Sequence, residues 1–102
     1  MTEANGTVYL LPHSRGGTRE VVPRVHDEET NDLIGYFGDG AGDPVLVPAG
    51  SIVCLSSTLF HRSGPNTTDE VRRAYVVQYS AEPILSEDGT RPRHLAEPVD
   101  GR

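Results

Sequence analysis

The chain has one cysteine among its 102 residues, Cys54, so no internal disulfide can form. Within the apolar run Ile52-Val53-Cys54-Leu55 it reads as a small buried hydrophobe rather than a nucleophile. No apolar run approaches the ~20 residues that cross a bilayer. Met1-Thr2-Glu3-Ala4-Asn5 lacks the character of a signal peptide. A soluble cytoplasmic protein is the expectation. Tryptophan and lysine are absent, and all nine basic residues are arginine. Against fifteen acidic residues they leave a net charge of −6, which argues against a nucleic-acid or anionic-membrane surface. At 102 residues the chain makes one small domain at most. A chain of this size buries roughly two thirds of its surface, enough for a core with little to spare.

What is present is short β runs punctuated by glycine and proline. Thr7-Val8-Tyr9-Leu10-Leu11 is a strand stopped by Pro12, followed by the polar turn His13-Ser14-Arg15-Gly16-Gly17-Thr18. From about 19 to 43 the chain is charged and then glycine-rich, ending in Gly38-Asp39-Gly40-Ala41-Gly42, and is expected to be a long, mostly irregular loop. With no helix after it, that glycine run is not a phosphate loop. Pro44-Val45-Leu46-Val47-Pro48 and Ser51 to Ser57 read as two further strands around the turn Ala49-Gly50. The expected division is a domain over 1–82 and a polar, proline-punctuated tail over 83–102. No helix is supported, and the class is mainly β.

The stretch from Leu59 to Tyr79 organises the rest. Gly64-Pro65-Asn66-Thr67-Thr68-Asp69 is strong turn chemistry. Beyond it Ala74, Val76 and Gln78 alternate with Tyr75, Val77 and Tyr79, the period of a strand. A hairpin symmetric about Asn66 and Thr67 would set His61 opposite Arg72, with Cβ atoms about 5 Å apart. One imidazole and one fixed cation would then share a space. On their own, a strand-end histidine and a strand arginine are ordinary solvated residues. The other histidines are His13, His26 and His94. His26-Asp27-Glu28 has the spacing of a metal-binding His-x-Glu pair but lies in the acidic loop, where solvation is the better account. Glu82, Glu87 and His94 read as surface groups.

Three segments carry a resemblance. Asn5-Gly6-Thr7-Val8-Tyr9-Leu10-Leu11-Pro12-His13-Ser14-Arg15-Gly16-Gly17 is similar to an "NG…L…PGSH+G" segment, with His13 in place of the usual Gly and Arg15 in place of the usual His. Val47-Pro48-Ala49-Gly50-Ser51-Ile52-Val53 resembles a "GD" turn with Ser in place of Asp. The most specific is His61-x-Ser63-Gly64-x-Asn66-Thr67-x5-Arg72-Arg73-Ala74, which resembles "H.SG.N.S….R.A". Together they resemble the C-terminal half of the phytanoyl-CoA dioxygenase family, iron(II)- and 2-oxoglutarate-dependent oxygenases on a double-stranded β-helix of jelly-roll or cupin-like form.

The resemblance implies an incomplete barrel and a hydroxylase that converts 2-oxoglutarate to succinate and carbon dioxide. It implies His61 as the distal iron ligand, with Ser63 and Arg72 binding the far carboxylate of 2-oxoglutarate, and Asn66 holding the turn. It implies a small-molecule substrate. In that family a His-x-Asp pair precedes the "NG" segment, and here four residues stand before Asn5. The chain is therefore expected to be a fragment lacking that half of the metal site, active only with a complementing N-terminal chain or as a homo-oligomer. The alternative is a non-catalytic β half-barrel that binds a small anion or pairs with a partner chain. A small cupin barrel would want a His and Glu cluster that the sequence does not supply.

Overall fold

The computed structural model describes residues 1–91. The described residues are mainly β, with no α-helix: five short strands and one 3-10 turn. The strands are β1 (Val8–Leu11), β2 (Val25–Asp27), β3 (Asp32–Ile34), β4 (Asp43–Pro44) and β5 (Phe60–Ser63). β4, β1 and β5 form an antiparallel sheet in that spatial order, and β2 and β3 form a separate hairpin.

β1 is the centre of the larger sheet. It begins after Gly6, whose φ of 85° is a conformation that suits glycine. A side chain there would also press on the backbone, since a Cβ would lie 2.9 Å from the Gly64 carbonyl oxygen. Pro12 ends the strand, and a 3-10 turn (His13–Arg15) closes on Gly16 at φ 103°. Thr7 is fully buried and donates its hydroxyl to the Val45 carbonyl, tying β1 to the chain after β4. Leu11 is the one buried apolar side chain among the described residues. Arg15 closes an exposed ion pair with Asp43.

β5 does not pair with the segment after its turn. Val71 to Tyr79 forms no strand, and β5 lies instead against β1, with Val8 opposite Ser63 and Leu11 opposite Phe60. The reason lies in the turn residues. Gly64 N–H donates to the Thr7 carbonyl at 2.8 Å, and Thr67 donates both its N–H (2.8 Å) and its hydroxyl (3.0 Å) to the Ala4 carbonyl. An isolated bridge joins Asn5 and Asn66. The polar residues expected to reverse the chain on itself thus extend its pairing with the N-terminal segment. Asn66 does hold the local turn, accepting from Thr68 and donating to the Glu70 carbonyl at 2.8 Å.

Three other expectations are corrected. The strand expected over 44–48 is confined to Asp43–Pro44, with one further bond from Val45 N–H to the Val8 carbonyl. Ser51 to Ser57 forms no strand; Cys54 is exposed, and so is Ile52. No facing sheet covers that run, so its apolar character does not bury it. The charged span over 19–43, expected to be mostly irregular, has regular structure only in the β2–β3 hairpin and at Asp43; the hairpin turn places Asn31 at φ 62°, a conformation asparagine tolerates better than most residues. Of the expected tail over 83–102, residues 92–102, including His94, lie outside the described residues.

Candidate functional site

Strand pairing sets which side chains share a face. Tyr9 sits opposite Arg62 and Leu11 opposite Phe60 on one face of the sheet; Val8 with Ser63 and Leu10 with His61 occupy the other. On the first face the Arg62 guanidinium stacks over the Tyr9 ring at 3.9 Å and donates from Nε to the Ala41 carbonyl at 3.1 Å. Phe60 meets Tyr36 with ring centroids 5.5 Å apart at 37°. The Tyr36 hydroxyl accepts from Gly40 N–H at 3.1 Å, so the glycine-rich run is wrapped on a phenol. A Cβ at Gly38 would lie 2.6 Å from the Tyr36 ring, so the close approach at that position suits glycine. These groups wall an open cleft of about 1160 Å³ whose lining also takes in His61, Ser63, Val76, Gln78 and Tyr79.

His61 and Ser63, expected to act together, are two apart on β5 and share a face. His61 is exposed, and its Nδ1 lies 3.1 Å from the Leu59 carbonyl oxygen. A carbonyl only accepts, so Nδ1 carries the proton and the Nε2 lone pair is left available. Ser63 is exposed at the strand end. Arg72, expected opposite His61, is not brought to it: with β5 paired to β1, Arg72 is half-buried elsewhere, its Nη1 3.7 Å from the Met1 sulfur, and it does not line the cleft. Met1 is held in turn by its amino group, which donates to the Val47 carbonyl.

His26 stands on β2 with Nε2 2.9 Å from Asn31 Oδ1, and Glu28 is exposed in the following turn. Asp27 accepts from Glu29 N–H at 2.9 Å, shaping that turn. His13 Nε2 is buried without a hydrogen-bond partner among the described residues. No group of three His, Cys, Asp or Glu side chains able to hold a metal gathers among the described residues. The donors present therefore do not by themselves fit an iron centre.

Sequence reasoning missed Tyr36 and Arg62. The signal for Tyr36 was its place beside glycines at 35, 38, 40 and 42, residues that let a backbone approach an aromatic ring closely. Arg62 was hidden by its neighbours, because its role comes from Tyr9, more than fifty positions away.

The geometry defines a mainly β chain that presents an imidazole and a hydroxyl side by side on one edge strand, beside an aromatic cleft. The family model described as Phytanoyl-CoA dioxygenase (PhyH) matches residues 1–74, which takes in β1 to β5, His61, Ser63 and Arg72. The chain belongs to the phytanoyl-CoA dioxygenase family. Comparison with curated proteins gives no match, and comparison with solved structures gives none.

Proposed function

We propose that this chain carries the distal half of a non-haem iron(II) and 2-oxoglutarate oxygenase site, on the C-terminal portion of a double-stranded β-helix. His61 is the proposed metal ligand. Ser63 and Arg72 are proposed to hold the far carboxylate of 2-oxoglutarate, and a small-molecule substrate to occupy the cleft. The observation that carries the reading is the state of His61. A ligating imidazole commonly donates its second N–H to a carbonyl, which fixes ring and tautomer, and the Leu59 carbonyl takes that bond. Arg72 rests against a thioether, a weak acceptor that a carboxylate displaces at little cost.

The remaining ligands come, on this reading, from outside the described residues. No step of an oxidation is assigned to this chain alone. When iron is bound in such a site it supplies oxygen activation; the work of these residues is to fix the imidazole and the co-substrate's anion.

A second reading is a non-catalytic β module that binds a small anion, favoured by the place of Arg72 outside the lining of the cleft. One pair of titrations separates the two. With iron(II) added anaerobically, the His61 ring resonances should be the first perturbed, and His61→Ala should remove that effect. With 2-oxoglutarate in a calorimeter, Arg72→Ala should abolish binding. Anion binding indifferent to iron and to His61→Ala would favour the second reading. If both variants bind as the parent does, the assignment of these residues is wrong.

A further inference from the structure

The cleft beside β5 carries one guanidinium more than it has carboxylates. Histidine aside, the charged side chains in its lining are Arg24, Arg62 and Asp32. The chain as a whole has a net charge of −6, so this is a local reversal of sign. Arg62 is held in a fixed pose there. Its guanidinium carbon lies 3.9 Å from the centre of the Tyr9 ring, and its Nε donates to the Ala41 carbonyl at 3.1 Å. These contacts engage the face of the plane and one of its nitrogens. The two Nη groups have neither a hydrogen-bond partner nor an ion-pairing carboxylate among the described residues. A guanidinium ordered before its ligand arrives loses less freedom on binding, and its planar fork matches the two oxygens of a carboxylate.

The surroundings specify what that carboxylate is attached to. Phe60 precedes Arg62 by two positions and shares its face, about 7 Å away along the strand. Its ring packs on Tyr36 with centroids 5.5 Å apart. Gly35 and Gly40 bring bare backbone to the same wall: a Cβ at Gly35 would lie 3.3 Å from the Phe60 ring, and one at Gly40 2.9 Å from the Tyr36 hydroxyl. Ring faces and backbone without side chains make flat walls, on which a flat apolar group stacks.

We propose that the cleft binds an aromatic monocarboxylate, its carboxylate on the Nη groups of Arg62 and its ring against Phe60 and Tyr36. The spacing of Phe60 and Arg62 suits a ring joined to its carboxylate by a short carbon spacer. The assignment deepens the reading of the cleft as a substrate site and rests on it. It is separate from 2-oxoglutarate, whose proposed anchor Arg72 lies outside the lining. Because β5 is an edge strand, Arg62 on one face and His61 on the other both border the cleft. Arg62 is a specificity-determining residue on this account, with no part in holding iron.

The test uses the chain without metal and phenylacetate as the probe. Phenylacetamide serves as the neutral analogue and acetate as the one without a ring. Binding is followed by NMR at the Arg62 Nε–Hε group and at the Gly40 and Ala41 amides. Phenylacetate should shift these signals and bind about tenfold more tightly than either analogue. Arg62→Gln should lower its affinity about tenfold, to that of phenylacetamide; Arg62→Lys, which keeps the charge but not the fork, should recover only part of the loss. Arg73→Gln removes the same charge from an exposed residue outside the lining and should change nothing. The comparison of analogues on the parent chain needs no variant, so it holds even where Arg62→Gln loosens the loop at Ala41. Either analogue binding as tightly as phenylacetate overturns the proposal and leaves the cleft reading in place. So does a loss of phenylacetate binding in Arg72→Ala but not in Arg62→Gln, which would give the anion to the 2-oxoglutarate anchor. No shift at the cleft residues with either aromatic probe overturns both readings.

Discussion

A single hydrogen bond decides how His61 is to be understood. The Leu59 carbonyl takes the proton of Nδ1, and the exposed Nε2 is free to meet a metal or a proton. Because the ring is solvated, its removal should cost the fold less than about 0.5 kcal/mol. His61→Ala is therefore expected to weaken iron(II) binding at least tenfold while leaving the thermal midpoint in place; a large drop in midpoint would mean a structural role. Asp88 offers a second residue-level check. Its carboxylate accepts from the Ser86 hydroxyl, and from the Thr90 N–H and hydroxyl at 3.1 and 2.8 Å. The Ser86 bond first, then those from Thr90, lower its pKa from 3.8 to about 2. A depressed carboxylate stabilises the folded turn above its unfolded value and loses that contribution as pH falls from 3.8 through about 2. The Thr90 amide resonance should follow a titration centred near 2; one centred near the ordinary value of about 3.9 would contradict the bonding. The turn-holding role of Asn66 was legible in the sequence. The exposure of Cys54 was not, because an apolar run is buried only if another layer arrives to cover it.

The pairing of β1 with β5 is the element on which the described structure rests. Two substitutions test it. Gly6→Ala would place a Cβ at φ 85° against the Gly64 carbonyl, and should destabilise the chain by about 1–3 kcal/mol. Thr7→Val removes the hydroxyl that reaches the Val45 carbonyl at a fully buried position, and should cost about 1–3 kcal/mol. Both are read by urea melts, and a midpoint unchanged in both would mean the sheet is not the stabilising unit. The same element shows where sequence reading stops. β1 was legible from its apolar run and from Pro12; β5 was legible as a strand end, but its partner was not. Val8–Leu11 and Ala74–Tyr79 both carry strand-like residues, and the choice between them is made by Gly64 and Thr67 bonding to Thr7 and Ala4, contacts some sixty positions apart. The β2–β3 hairpin escaped notice because its strands are charged and short, with Asn31 at positive φ as the one local sign of a tight turn.

At the scale of the whole molecule, family membership and incomplete burial belong together. The family model spans every strand of the described structure, yet Gly6, Thr7 and Leu11 are the only buried residues among those described. Charge was legible from composition, and so was the mainly β class. The openness of the fold was not, since it depends on how few of the apolar runs find a facing layer. The candidate residues follow the same pattern: the resemblance singled out His61 and Ser63, which β5 sets on one face, while the expected meeting of His61 and Arg72 required a hairpin that β1 displaces. The central claim is that this chain holds one part of an oxygenase site and not the whole. Anaerobic titration of the purified chain with iron(II) and 2-oxoglutarate, followed in the visible charge-transfer region, tests it most directly. The account predicts no saturating band, because one imidazole binds iron(II) too weakly to assemble the iron–2-oxoglutarate chelate that gives it. A band that saturates at one iron per chain would contradict it and require a complete set of ligands within these 102 residues.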